Sequence, residues 1–171
     1  CTNAELDRIN LFRASVYQEH YPFIRSFALD PFDRNAYILY GENTQGEVDR
    51  TLRLVLDGAG GLPEDYVFGE SANTYRQHNA TLLEAGRLAI KGHDSQALRD
   101  LVLSTYRIAI HSQVSHVIFV VREKDIRFYQ RVLNARVLPH EVPDKFGGRY
   151  KIQAAIWEVA NTPPHFFRFA G

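Results

Sequence analysis

Residues 81–91, TLLEAGRLAIK, place a carboxylate, a glycine and a guanidinium inside an otherwise apolar strand. Burial disfavours a charged carboxylate, so the pKa of Glu84 should be raised, and a carboxyl group with a raised pKa suits a general base. The alternative is an ion pair of Glu84 with Arg53 or Arg87 that only braces the strand. The two interpretations are compatible, because such a pair can also orient a substrate.

Gly86 lies between these two charged residues, and a glycine in mid-strand favours a β-bulge. A bulge would turn a backbone N–H outward, where it can hydrogen-bond a polarised carbonyl oxygen as in an oxyanion hole. The alternative is that Gly86 only makes room for a closely packed group. In both cases the polar residues indicate a substrate-facing edge of a splayed sheet rather than a packing defect.

The elements that must position these residues follow from hydrophobic periodicity and turn residues. A capping box of Thr2 and Glu5 begins the first helix, and Asp94 or Ser95 caps a later one. Helices are predicted over 4–20, 95–111 and 125–134, with a short one within 66–80. Strands are predicted over 36–40, 51–56, 81–90, 116–121, 136–142 and 150–159, with a turn at Gly147–Gly148 and an irregular tail from 161.

This order contains βαβ units within a mixed sheet, which predicts an α/β or α+β fold with a central twisted sheet flanked by helices. A single domain over residues 1–171 is expected from the length.

The composition limits the classes of partner. Twenty basic and twenty acidic residues cancel, which argues against nucleic acid as a partner. We expect no membrane span, since no apolar run approaches the length of about 20 residues that one needs. The only cysteine is Cys1, and the seven histidines lack metal-ligand spacing, so we expect no disulfide, no metal and a cytoplasmic protein.

Several segments resemble known acyltransferases. The stretch RFYQRVLNARVL (127–138) resembles the FY…GF segment of the acetyltransferase (GNAT) superfamily. The segments FRASVYQEHYPF (12–23), LDPFD (29–33), TLRLVL (51–56) and LLEAGRLAI (82–90) resemble, in that order, the autoinducer (acyl-homoserine-lactone) synthases and the N-acyl amino acid synthases. The matching positions are Arg13 with Tyr17 and Phe23, Asp30 with Asp33, Arg53, and Glu84 with Arg87.

Three departures favour the N-acyl amino acid synthases over the lactone synthases. Phe23 replaces the tryptophan usual in autoinducer synthases, Gly86 replaces a serine, and no Leu-Leu-Pro-Thr run follows the strand that carries Arg53. A further departure concerns the acyl donor. The phosphate-binding stretch of acetyltransferases corresponds here to KGHDSQALRD (91–100), which has one glycine and an aspartate where phosphate would bind. This disfavours coenzyme A, and the resemblance implies an acyl-carrier protein as donor instead.

The resemblance also implies roles. Tyr129 would protonate the leaving thiolate; the alternative is a core aromatic whose hydroxyl is satisfied. Asp30 and Asp33 would hold the acceptor ammonium; the alternative is capping and turn formation beside Pro31. Arg13 would organise these carboxylates; the alternative is a surface arginine. The other two arginines at the matching positions, Arg53 and Arg87, can bind an acceptor carboxylate bidentately.

The sequence therefore predicts a GNAT-like N-acyltransferase without a tightly bound cofactor. It would move a fatty acyl group from an acyl-carrier protein to the amine of an amino acid. The alternatives are an autoinducer synthase that uses S-adenosylmethionine, a coenzyme A acetyltransferase, and a non-catalytic module that binds acyl groups or carriers.

Overall fold

The computed structural model describes residues 2–20, 30–139 and 151–170. Within these ranges a six-stranded sheet has the order β1-β2-β3-β4-β6-β5. The strands are β1 Tyr37–Glu42, β2 Val48–Leu56, β3 Leu82–Ile90, β4 His116–Arg122, β5 Arg136–Val137 and β6 Ile152–Glu158. The helices are α1 Asn3–His20, α2 Asp65–Gln77, α3 Ser95–His111, α4 Ile126–Leu133 and α5 Pro164–Ala170, with short 3-10 helices at Pro31–Asn35, Glu123–Asp125 and Val159–Asn161.

The sheet is mixed, as predicted. Strands β1, β2 and β3 pair antiparallel, β3 and β4 pair parallel, and β4, β6 and β5 pair antiparallel. Helix α3 makes the crossover that the parallel pair requires. The fold class is therefore the predicted mixed α/β arrangement.

The central parallel pair separates halfway along. Its register runs from Leu82 opposite His116 to Ala85 opposite Phe119 and then ends, although β3 continues to Ile90 and β4 continues along the sheet. Beyond Ala85, the edge of β3 that faces β4 has no strand partner among the described residues. This opening is the splayed edge that the polar residues of β3 predict.

A β-bulge lies on the opposite edge of β3. Thr51 pairs with Ala89 and Arg53 pairs with Gly86, so Arg87 and Leu88 stand opposite one residue of β2. The residue with positive φ is Arg87, at 56°, and Gly86 has no such conformation. The bulge predicted at Gly86 therefore begins one residue later, on a residue for which the left-handed region is unfavourable.

Apolar side chains fill both sides of the sheet. On one side the core lies beneath α3, α4 and α5 and includes Phe119 and Trp157. On the other side it lies beneath α2 and includes Phe68 and Ile118. Among the described residues, no helix combines the length and apolar character needed to cross a membrane.

The predicted helix starts are confirmed by their caps. The amide of Thr2 donates to Glu5 Oε2 over 2.6 Å and the amide of Glu5 donates to Thr2 Oγ1 over 3.2 Å, which completes the capping box. Asp94, rather than Ser95, caps α3. Helix α2 lies within the predicted segment 66–80, apart from its first residue.

The prediction of an irregular tail is wrong, because Pro164–Ala170 form helix α5. Proline is favourable in the first turn of a helix, and Phe166 is fully buried against Trp157, with ring centroids 5.8 Å apart. Of the predicted strand over 136–142, the structure shows strand at Arg136–Val137. Residues 140–142, the turn at Gly147–Gly148 and Phe23 lie outside the described ranges.

Candidate active site

Five predicted residues form one cluster between α1, the Pro31–Asn35 helix and the sheet. Arg13 from α1 donates to both carboxylate oxygens of Asp33 over 3.3 Å. Arg53 from β2 lies 2.6 Å from Asp30 Oδ2 and 3.3 Å from Asp33 Oδ1. Arg87, at the bulge, lies 2.9 Å from Asp30 Oδ2. Each aspartate thus joins two arginines that come from different elements.

The cluster is buried and carries one more arginine than its carboxylates neutralise. Arg13 and Arg53 are 3% and 2% exposed, whereas the side chain of Arg87 is about a third exposed. Burial alone would raise the pKa of Asp30, but hydrogen bonds from Arg53 and Arg87 outweigh it and lower that pKa to about 2. Burial lowers the pKa of Arg13. The surplus positive charge makes this cluster suited to an anionic group.

The geometry of the cluster decides between some of the roles predicted for Arg13 and the two aspartates. Arg13 is buried, so its interpretation as a surface arginine is wrong. Asp30 does cap the 3-10 helix, since it accepts from the amide of Phe32 over 3.0 Å. Because both aspartates already accept from arginines, the contacts favour holding the arginines over holding an acceptor ammonium. Nε of Arg53 is buried without a hydrogen-bond partner in the described part of the chain.

Glu84 lies on β3 and is 2% exposed. Its Oε2 accepts from the backbone amide of Glu64 over 2.9 Å, at the start of α2. Among the described residues it forms an ion pair with neither Arg53 nor Arg87, so the predicted bracing pair is wrong. Burial is the largest cause that raises the pKa of Glu84 to about 8; the charges of Glu64 and Asp65 add to it, and the amide hydrogen bond and Arg53 oppose it. The raised pKa expected from sequence is confirmed.

Gly86 and Glu84 are neighbours on the same face of β3. A Cβ atom on Gly86 would lie 3.3 Å from Glu84 Oε1. Within the described residues this oxygen has no hydrogen-bond partner. The glycine therefore leaves room beside the free oxygen of the carboxylate, which is the second of its two predicted interpretations.

Tyr129 lies on the other side of the sheet. Its ring packs on Phe119 of β4, with centroids 5.1 Å apart, and Phe119 is the last residue of β4 that pairs with β3. Glu84 pairs with Ile118, whose side chain points to the opposite face. Glu84 and Tyr129 therefore flank the point of strand separation from the two faces of the sheet.

The surroundings of Tyr129 keep its hydroxyl protonated. Burial and the charge of Asp125 raise its pKa to about 12, although Arg122 opposes them. The hydroxyl forms no hydrogen bond with another described residue, while the ring packs against the core beneath α3, α4 and α5.

The first backbone amides of α3 are already hydrogen-bonded to a side chain of the protein. Asp94 Oδ1 accepts from the amides of Gln96 and Ala97 over 2.8 Å and 3.0 Å. These are the amides that a phosphate group would use at a helix N-terminus. An aspartate there both occupies the donors and repels an anion. In the described ranges no cluster of three or more acidic, histidine or cysteine side chains is arranged to hold a metal ion.

Two parts of the site were missed by sequence reasoning: the amide of Glu64, and an ion cluster of Arg76 with Asp57 and Asp65 beneath it. The available signal was the stretch DGAGGLPED, a glycine-rich loop with acidic residues at both ends, followed by an arginine on the next helix.

Solved structures place the fold among acyl-transferring enzymes. The N-acyl amino acid synthase FeeM from uncultured soil microbes matches with a TM-score of 0.76 and 17% identity over 94% of each chain. The CoA-dependent acyl-homoserine lactone synthase MesI matches with a TM-score of 0.58 and 19% identity, over 97% of this chain and 86% of MesI. An N-acetyltransferase from Staphylococcus aureus Mu50 matches with a TM-score of 0.61 and 9% identity, over 94% of this chain and 95% of that one. The fold is therefore the GNAT acyltransferase fold.

The family follows from the sequence match. The model of the family "N-acyl amino acid synthase FeeM" matches residues 8–146. The chain belongs to this family and is an acyltransferase, as the resemblance predicted. No curated protein sequence matches the chain significantly.

Proposed function

We propose that this protein transfers a fatty acyl group from an acyl-carrier-protein thioester to the amino group of an amino acid and so produces an N-acyl amino acid. Family membership supports the reaction class. The observation that carries the residue roles is the buried Glu84 carboxylate, one oxygen of which has no hydrogen-bond partner among the described residues where β3 and β4 separate.

Glu84 is the general base. Its carboxylate takes a proton from the acceptor ammonium, and the resulting amine attacks the thioester carbonyl carbon. A C–N bond forms, the C–S bond breaks, and the thiolate leaves with a proton from Tyr129, on the other face of the opening. The attacking nitrogen loses its second proton as the amide forms, and this proton restores the Tyr129 hydroxyl. A base with a pKa of about 8 is well matched to an amine near neutral pH.

The thioester oxygen is held by backbone N–H groups on the edge of β3 that, within the described part of the chain, has no strand partner beyond Ala85. Gly86 contributes by leaving that approach clear. The backbone thus keeps the oxyanion function, and the absence of a side chain on Gly86 leaves space beside it.

The arginine cluster binds the acceptor carboxylate. Arg87 is partly exposed and Arg53 has a buried Nε without a partner among the described residues, so donors remain after the internal ion pairs are made. Asp30, Asp33 and Arg13 hold these arginines in place. An α-carboxylate on the cluster and an α-amine at Glu84 together define an amino acid as acceptor.

The donor is proposed to be a carrier protein because of Asp94. Its carboxylate occupies the α3 amides that would bind the pyrophosphate of coenzyme A. MesI, which shares the fold, is CoA-dependent, so the donor requires a direct test. A cytoplasmic location, where acyl carriers are available, belongs to the same proposal.

A product screen by mass spectrometry tests the function. Purified protein is incubated with acyl-carrier-protein and coenzyme A thioesters of several chain lengths, a pool of amino acids, and S-adenosylmethionine. An N-acyl amino acid formed from the carrier substrate supports the proposal. An acyl lactone overturns it in favour of signal synthesis, and no product from any donor favours a binding module.

Glu84→Gln separates catalysis from binding in the same assay. Turnover should fall by at least about a hundredfold, the usual contribution of a general base, while carrier binding is retained. The exposed Glu123→Gln is the matched control. Unchanged turnover in Glu84→Gln would remove Glu84 from the mechanism.

A further inference from the structure

An arginine outside the cluster above joins the two ends of the loop between β2 and α2. Arg76 binds Asp57 through Nε and Nη2 over 2.6 Å and 2.9 Å. The same Nη2 also contacts both carboxylate oxygens of Asp65 over 2.8 Å and 3.0 Å. Asp57 follows β2 directly and Asp65 is the first residue of α2, so one guanidinium ties together both ends of this loop.

The loop itself is held against the same carboxylate. Leu62 donates its amide to Asp65 Oδ2 over 2.8 Å, and its side chain is buried in the core beneath α2. Gly61, at φ +68°, lets the Asp65 carboxylate approach to where a Cβ would stand only 2.5 Å away. The residue directly before Asp65 is Glu64, whose amide donates to Glu84.

We propose that Arg76 is a positioning residue for the active site: by clamping Asp57 and Asp65 it fixes the loop so that the Glu64 amide meets the Glu84 carboxylate. The effect on catalysis rests on the proposed function of Glu84. The effect on the environment of Glu84 does not, and the two can be measured separately.

The charges around Glu84 determine the direction of the effect. The groups that act on it are Glu64 and Asp65 from the loop and α2, and Arg53 from β2. Removing Arg76 would leave Asp65 without its counter-charge and would free the loop that supplies the amide. Both changes favour the protonated form of Glu84, so the base would become active only at higher pH.

The test compares Arg76→Gln with the wild type in two assays. The first is the pH dependence of kcat/KM on the carrier substrate, and the second is a 13C NMR titration of the Glu84 carboxyl group, assigned with Glu84→Gln. We expect both midpoints to rise by about one pH unit, as for the loss of one hydrogen bond to a charged group, with about tenfold loss at neutral pH that is recovered at alkaline pH. Arg107→Gln, an exposed change on α3, is the control.

Arg76→Lys keeps the charge but cannot bridge two carboxylates bidentately, so a smaller shift is expected; it also serves if Arg76→Gln does not fold. An equal loss of activity at every pH, with the NMR midpoint unchanged, would show a merely structural role and overturn the inference. A shifted NMR midpoint with an unshifted rate profile would support the clamp and reject Glu84 as the base.

Discussion

A Cβ atom on Gly86 would stand 3.3 Å from Oε1 of Glu84, which is closer than most side-chain contacts. Gly86→Ala should therefore crowd the free oxygen and lower kcat by about tenfold, with a stability change below about 1 kcal/mol because alanine is otherwise favoured over glycine in a strand. Gly86→Ser adds a donor that can bond Oε1, so it should move the acidic limb of the pH–rate profile to lower pH. Identical profiles for the two variants would contradict this relationship.

The raised pKa of Glu84 predicts how stability depends on pH. Between the ordinary value of 4.5 and about 8, the folded state holds this proton more tightly than the unfolded chain. Stability should therefore fall as pH rises through this window, by about 1.4 kcal/mol for each pH unit, and Glu84→Gln should abolish the decline. Urea denaturation at pH 5 and pH 9 measures it, with Glu123→Gln as the control. The hypothesis fails if Glu84→Gln and the wild type differ equally at both pH values.

Asp30 affects stability in a separate range of pH. Its pKa is lowered from 3.8 to about 2, so its contribution is present above pH 3.8 and is lost as pH falls through about 2. It does not disturb the comparison between pH 5 and pH 9.

Tyr129→Phe tests the proposed proton donor. The hydroxyl has no partner in the described part of the chain, so its removal should leave the melting temperature nearly unchanged while kcat falls by about tenfold or more. Tyr106→Phe, another aromatic of the same core, provides the matched control. A wild-type kcat in Tyr129→Phe would leave the residue with a packing role only.

Asp33→Asn tests the buried cluster. It leaves Arg13 and Arg53 without one of their counter-charges, which should reduce the free energy of unfolding by about 3–5 kcal/mol. Adding Arg13→Met to Asp33→Asn removes one of the unpaired cations and should restore part of the loss. Chemical denaturation measures the cycle, with the exposed Asp7→Asn as reference. Strictly additive effects would mean that Arg13 and Asp33 do not stabilise each other.

Asp94→Ala tests the donor. The lost cap should cost about 1 kcal/mol, while the freed amides of α3 become available to phosphate. We expect KM for an acyl-coenzyme A thioester to fall and KM for the carrier thioester to stay constant. Asp100→Ala removes the same charge farther along α3 and should change neither. If Asp94→Ala leaves both KM values unchanged, its carboxylate does not select the donor.

Local patterns accounted for much of the fold. The periodicity over about 95–111, with Asp94 or Ser95 as the cap, predicts α3 closely, because the signals for this helix lie in it and directly before it. Helix α5 was missed because Pro163 before it and Pro164 at its start suggest a loop, and because its stability comes from Phe166 packing on distant rings.

The same distinction applies to the site. The type and position of Glu84 indicated a buried base, but its partner is a backbone amide, which has no signature in the sequence. The clamp by Arg76 spans 19 residues to Asp57, and only the folded loop brings them together. The bulge was misplaced by one residue because conformational preference favours Gly86, whereas the tertiary contacts of Arg87 with Asp30 hold the arginine in that conformation.

The left-handed backbone of Arg87 implies a conflict between thermal stability and activity. A non-glycine residue in this conformation costs about 1–2 kcal/mol, which glycine would avoid. Glycine would relieve this strain at the expense of the ion pair with Asp30, so directed evolution for heat resistance alone does not protect Arg87, the one partly exposed arginine of the cluster. A screen that alternates thermal challenge with turnover would retain it.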